Sequence, residues 1–508
     1  LTYTSGDLGA ETDAAFEAAL DAARSDEPLP QRHLIDGDWV DAGELFERRD
    51  PSRTDTIASR ARAGGPEVVE RAVAAARAAA PGWASTPWEE RCRMLRAAAD
   101  GIGERHIELS ALASLETGKS RTESILEVQE AIDLIEAYAG HMEENEGYGE
   151  PLESYVEGER NLDVLRPYGA FGVISPFNFP AALTTGMFSA ALIAGNTVVV
   201  KPSEETPETT AVLAEIMCEA VPAGVFNLVH GGPATGAALV DAGVDGVAFT
   251  GSAEVGRAIA RKLQEGRYAR PALTEMGGKN PAIVTASADV AAAAEGVARS
   301  AFGLSGQKCS ACSRAIVVDA VHDELVELLA ERAAALRLGD PSDPEMFVGP
   351  VINEASVARF EEAAAAAREE GAVSAGGGRP DLPGHFVEPT VVTNRPKGHR
   401  LERHELFLPF VTVTRVSSLD EALAEANAPD YGLTAGIFTA DEAEKERFLR
   451  EIEAGVVYVN RRAGATTGAW PGTQTFCGWK SSGSTGKGGL GRWYLPQFMR
   501  EQSRTIVG

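Results

Sequence analysis

Several things are scarce in this chain. Its 508 residues hold five cysteines, Cys92, Cys218, Cys309, Cys312 and Cys477. So odd and sparse a set argues against a disulfide framework and fits reduced thiols in a reducing compartment. Lysine is rare, nine of 47 basic residues, and those 47 face 75 acidic ones, for a formal net charge of −28. That balance argues against nucleic acid or anionic membranes as partners. No apolar run approaches the ~20 residues of a membrane span. The stretch 1–29 is acidic and Ala-rich, without the basic start and apolar centre of a secretory signal, so a cytoplasmic location is expected. Zinc on the Cys309-x-x-Cys312 pair would need two more ligands, and no second close Cys/His pair supplies them. No metal is expected.

What is present is a globular composition, 44% hydrophobic, with length for about three domains at ~150 residues each. The acid reads as a solvated surface adapted to high salt, where screening relieves self-repulsion. A salt-loving source is therefore expected.

Residues 1–30 read as a leading helical segment, and 68–138 as helical throughout. After punctuation at 147–151, the alternating stretch 155–166 predicts a strand of a projecting hairpin. From Gly169 short apolar runs at 171–174, 197–200, 226–229, 246–249 and 282–284 alternate with helical stretches at 209–220, 235–242 and 253–264. The rhythm resumes at 315–318, 410–416, 435–438 and 456–459. Such alternation predicts parallel strands with helical crossovers, hence two α/β domains divided near 282.

Five segments carry candidate chemistry. Cys309, in Gly306-Gln307-Lys308-Cys309-Ser310, is a candidate nucleophile; Lys308 or nearby backbone amides would favour its thiolate. Read alone, it is equally an ordinary buried thiol. Glu275, in Leu273-Thr274-Glu275-Met276-Gly277-Gly278-Lys279, ends a strand beside two glycines and is a candidate general base or a solvated carboxylate. Asn178, in Ser175-Pro176-Phe177-Asn178-Phe179-Pro180, is a candidate oxyanion donor or a turn residue bonding its own backbone. Lys201-Pro202-Ser203-Glu204 and Phe249-Thr250-Gly251-Ser252 follow strands and open helices, where a dinucleotide binds. Lys201 and Glu204 suit ribose hydroxyls, and the Glu204 carboxylate would repel a 2′-phosphate, favouring NAD over NADP. The Gly-x-Gly-x-x-Gly fingerprint is missing here.

Together, over about 35–505, these motifs resemble the aldehyde dehydrogenase superfamily. The resemblance implies that fold: two parallel-sheet α/β domains plus a small oligomerisation β-element. An NAD-binding domain would comprise 1–150 and 168–281, a catalytic domain 282–480, and an oligomerisation element 151–167 and 481–508. It implies Cys309 as nucleophile, Glu275 as base, Asn178 as oxyanion donor, and Glu405 with Phe407 holding the nicotinamide ribose of NAD. Leu408-Pro409 stands where the family has Gly-Pro. The segment 306–314, the loop Thr466-Thr467-Gly468-Ala469 and the tail 498–505 resemble the subgroup acting on L-glutamate γ-semialdehyde. That likeness implies Ser310, Gly468 and Ala469 on the substrate carboxylate, Phe476 on its chain, Lys308 nearby, and a homo-oligomer working in proline breakdown. Cys477 replaces the family's Gly and is expected to pack inertly. Cys312, the segment 314–318, Trp470, Trp479 and Trp493 are expected in the packed interior.

Overall fold

The structure, a computed structural model, describes residues 9–462 and 469–508. Among these the chain builds two seven-stranded sheets, two smaller ones of three strands and one of two. The first large sheet runs in the order Ala272–Met276, Gly246–Gly251, Ala170–Ile174, Thr197–Lys201, Phe226–Leu228, His33–Ile35 and Asp38–Val40. Its first five strands are parallel, and the last two are added antiparallel. The strand Thr197–Lys201 is buried at every position. Helices cover both faces of such a sheet, so its strands read as unbroken apolar runs.

The second sheet orders Ala372–Ala375, Thr390–Thr393, Phe410–Val416, Cys312–Val318, Asn280–Val284, Thr434–Phe438 and Val456–Val459. The chain passes from Ala272–Met276 in one sheet to Asn280–Val284 in the other through residues 277–279 alone. The carboxyl ends of the first sheet therefore adjoin the amino ends of the second. The expected change of sheet near 282 falls within Asn280–Val284.

Four helices, Pro66–Ser85, Trp88–Glu104, His106–Thr117 and Arg121–Glu144, fill the region read as helical. The last begins at Ser120, whose hydroxyl accepts the Glu123 amide at 3.3 Å. The leading helix, Ala10–Ser25, ends short of the expected residue 30; residues 1–8 lie outside the described residues.

The strands between residues 30 and 63 have no counterpart in the sequence reading. Glu44–Asp50 and Arg53–Ala63 pair antiparallel through charged residues, as in Arg60–Glu47 at 2.8 Å, which conceals the apolar alternation of a strand. The projecting hairpin is real but shifted. Gly149–Leu152 pairs with Glu159–Pro167, which pairs along its length with Met499–Val507. The expected strand began at 155, but residues 153–158 form the connection, with Gly158 at φ 86°. The segment 481–508 divides: Ser482, Leu490, Tyr494, Leu495 and Phe498 are buried in the body, and only Met499–Val507 projects. Trp470 is buried as expected, but Trp479 and Trp493 are 45% and 55% exposed. Trp493 instead lies under the Arg492 guanidinium, 4.5 Å from its ring centre.

Candidate active site

A pocket of about 780 Å³, mouth included, opens where the two sheets meet. Cys309 and Glu275, 34 positions apart in sequence, both line it. Leu134, Leu183, Met187, Phe179 and Tyr494 give it apolar walls, the usual character of a small-molecule site.

Cys309 sits on the loop between a short 3-10 turn, Gly303–Gly306, and the strand Cys312–Val318. Asn280, the first residue of its own strand, holds that loop: its Nδ2 donates to the Cys309 carbonyl at 2.7 Å and to the Ala311 carbonyl at 2.9 Å. Burial pushes the Cys309 thiol up to about 12; the Glu405 and Glu275 carboxylates add to this, and the Ser310 and Cys309 amides oppose it. Of the two expected aids to the thiolate, the backbone amides of Ser310 and Cys309 act in that direction, while the Lys308 ammonium pairs with Glu123 at 2.6 Å. The thiol thus needs a base at the moment of attack.

Glu275 is that candidate. Burial raises its pKa to about 7, and a hydrogen bond from the Gly489 amide at 2.6 Å pulls the other way. A carboxylate near 7 both accepts and returns a proton at neutral pH.

Asn178 is buried beside this loop without lining the pocket. Its Nδ2 donates to the Gln307 carbonyl at 2.9 Å, two residues before Cys309.

The first cofactor candidates fall at the carboxyl ends of two parallel strands that flank Ala170–Ile174. Lys201 ends Thr197–Lys201; its buried ammonium donates to the Gly231 carbonyl at 2.8 Å and stands 3.9 Å from the part-exposed Glu204 carboxylate. Burial lowers its pKa to about 8. Ser203 closes the turn by accepting the Glu205 amide at 3.2 Å. Gly251 ends its strand, and the Ser252 hydroxyl caps the helix Ala253–Gln264 through the Val255 amide at 3.4 Å. Glu405 arrives from the other sheet's side. It accepts the Gly278 amide at 2.9 Å, and burial raises its pKa to about 7. Phe407 takes φ 59° and packs edge-on to Phe177 at 5.8 Å; this bend carries the chain into the buried Leu408. A helix amino end for a pyrophosphate and two carboxylates, Glu204 and Glu405, for ribose diols form a donor and acceptor set that fits a dinucleotide.

Of the substrate candidates, Ser310, Ala469, Phe476 and Lys308 line the pocket with Cys309. Gly468 lies outside the described residues. Cys477 turns its sulfur to the Gly455 carbonyl at 3.4 Å, and Cys312 is buried with its sulfur toward the Arg314 carbonyl at 3.6 Å. Arg314 is itself interior, donating to the main chain at Lys279, Glu425 and Ala426.

The sequence reading did not assign the helix Arg121–Glu144 to the site. At helical spacing it presents Glu123, Glu127, Glu130, Leu134 and Tyr138 along one face. Glu130, Leu134 and Tyr138 line the pocket, and the Tyr138 hydroxyl accepts the Leu490 amide at 3.2 Å. The usable signal was three glutamates on an otherwise apolar stripe.

Residues 39–503 match the aldehyde dehydrogenase family. A 1-pyrroline-5-carboxylate dehydrogenase of a Geobacillus species is 36% identical over 97% of this chain and 95% of its own length. The α-ketoglutarate semialdehyde dehydrogenase of Haloferax volcanii is 38% identical over 86% of this chain and 91% of its own. The crystal structure of Thermus 1-pyrroline-5-carboxylate dehydrogenase with bound NAD superposes with a TM-score of 0.93, at 35% identity, covering 99% of this chain and 98% of that one. With a thiol and a carboxylate lining one pocket, and a match over nearly its whole length, this chain belongs to the aldehyde dehydrogenase family.

Proposed function

We propose that this chain is an NAD-dependent L-glutamate γ-semialdehyde dehydrogenase, acting on the open form of 1-pyrroline-5-carboxylate in proline breakdown. One observation carries the reading: Cys309, Glu275, Ser310, Ala469 and Phe476 line a single pocket. Glu275 takes the proton from the Cys309 thiol, and the sulfur adds to the aldehyde carbon. The oxyanion is held by the Asn178 amide and the Cys309 main-chain N–H. NAD, when bound, supplies the acceptor for the hydride leaving that carbon. The carbonyl re-forms as a thioester on Cys309. Glu275 gives the thiol proton up to solvent and then draws a proton from water; the water oxygen attacks the thioester, and the thiolate leaves as the acid forms.

Lys201, Ser203, Glu204, Gly251, Ser252, Glu405 and Phe407 would hold the cofactor, the first sheet forming the cofactor domain and the second the catalytic one. Ser310 and the amides at 468–469 would hold the substrate carboxylate, since consecutive N–H groups make an anion nest. Phe476 would cover its methylenes. Glu130, 8% exposed on the same pocket wall, gives a substrate ammonium a negative partner. The projecting sheet would join subunits of a homo-oligomer. Its Tyr155, Val156 and Val507 are 92%, 56% and 73% exposed, too much apolar surface for one small sheet to leave to water. Five free thiols support a cytoplasmic site of action.

The test is NADH formation with glutamate γ-semialdehyde, succinic semialdehyde and α-ketoglutarate semialdehyde. The amino acid substrate is expected to lead in kcat/KM by ~100-fold or more, because a site built for hydrogen bonds rejects analogues lacking them. The Haloferax relative makes the keto acid the rival, and its preference over the amino acid would reverse the assignment.

A further inference from the structure

We propose that the buried ion pair Lys119–Glu127 positions the Asn178 amide against the Cys309 loop. The proposal rests on the oxyanion reading of Asn178 above. Both side chains are wholly inaccessible, and they contact each other directly. The Lys119 ammonium also donates to the main-chain carbonyl of Asn178 at 2.6 Å. The Glu127 carboxylate accepts the amides of Ala181 at 2.7 Å and Ala182 at 3.3 Å. One ion pair thus grips the 178–182 segment at two points of opposite polarity, at the Asn178 carbonyl and at the amides three and four residues on, so that the backbone carrying the Asn178 side chain is pinned. The loop cannot rotate about Asn178 without breaking both grips and leaving a buried charge uncompensated.

The same helix face holds the other half of the site. Glu123, one turn before Glu127, grips Lys308 at 2.6 Å, and Lys308 precedes Cys309. Phe179, a wall of the pocket, lies between the two ammoniums, at 4.4 Å from Lys119 and 5.9 Å from Lys308. The helix Arg121–Glu144 therefore registers the amide donor, the nucleophile loop and one aromatic wall together. Lys119 and Glu127 are positioning residues, since neither lines the pocket.

The test is a cycle on the full-length protein, read by the single-turnover rate of hydride transfer. Glu127→Gln keeps the shape and removes the charge. Hydride transfer should fall on the order of 100-fold, the scale of a small misplacement of a reacting group, with the NAD Kd within about twofold. In an Asn178→Ala background the same substitution should cost less than about threefold, because coupled groups are not additive. An equal loss in both backgrounds, or a parallel loss of NAD affinity, overturns the proposal. An Asn178→Ala protein with undiminished hydride transfer instead overturns the oxyanion reading on which it stands. Lys119→Arg, which keeps the charge and changes the reach, is read in the same cycle if Glu127→Gln does not fold. A loss that disappears without Asn178 supports the proposal, and one that persists refutes it.

Discussion

The main-chain amide of Gly489 donates to the Glu275 carboxylate at 2.6 Å, across 214 positions of sequence. The proposed base is thus held from the far end of the chain, in a pocket whose burial lifts its pKa to about 7. Thioester hydrolysis should rise with pH through about 7 and level off above it, since only the carboxylate accepts a proton from water. Glu275→Gln should slow the first burst of NADH as well as steady turnover, the latter by ~10²- to 10⁴-fold, because the same carboxylate serves both thiol and water. Rapid-mixing absorbance distinguishes burst from turnover: an undiminished burst would remove Glu275 from thiol activation, and undiminished turnover would remove it from both steps.

The same shift makes a stability prediction. A carboxyl raised from 4.5 to about 7 in the folded chain adds no cost below pH 4.5, where both states hold the proton. It costs stability increasingly through the window up to 7, and fully above it. Glu275→Gln should therefore raise the melting temperature more at pH 8 than at pH 4.5. Thermal unfolding at the two values checks this, and an equal change at both contradicts the shift.

Cys309→Ala should lower NADH formation by at least ~10⁴-fold, because no other group can form the thioester. NAD titration by calorimetry should be nearly unchanged, since the proposed cofactor contacts lie on other residues. Residual oxidation near the wild-type rate would end the covalent reading.

Gly278 makes room for the nucleophile loop. A Cβ there would meet the Cys309 carbonyl oxygen at 2.7 Å and Asn280 Nδ2 at 2.8 Å, tighter than any side chain tolerates. Gly278→Ala should cost about 1–3 kcal/mol of stability, the usual price of overpacking. Activity should fall about 10²-fold as the thiol shifts. Denaturant titration beside kcat decides it: unchanged values of both would show that the loop has slack.

The acidic surface predicts a response to salt. With a net charge of −28, self-repulsion destabilises the folded chain at low ionic strength and is screened within ~3 Å at 1 M. The melting temperature should rise from low to molar KCl. A flat profile would argue against adaptation to salt.

Much was legible in the linear order of residues. The strand and helix rhythm after Gly169 follows from burial: parallel strands covered on both faces must be apolar throughout, and their crossovers need a helix. The motifs at Asn178, Lys201, Gly251 and Glu275 each follow a strand of that rhythm, so their gathering at one sheet edge was implied by topology. The strands near 44–63 were not legible, because their cross-strand partners are charges rather than alternating apolar residues. Nor was the exposure of Trp479 and Trp493, since hydrophobicity does not say which aromatic lies at an edge.

By itself the sequence determined the chemical inventory: a thiol, a carboxylate, an amide donor and the strand ends that would carry a dinucleotide. The tertiary structure alone decided their state and their supports. It sent the Lys308 charge to Glu123, buried the Cys309 thiol until its pKa reached about 12, and placed Lys119 with Glu127 beneath the Asn178 loop. The reason is physical. Side-chain type fixes which reactions a group can enter, while desolvation and partner choice depend on neighbours tens to hundreds of positions away, which no local pattern encodes.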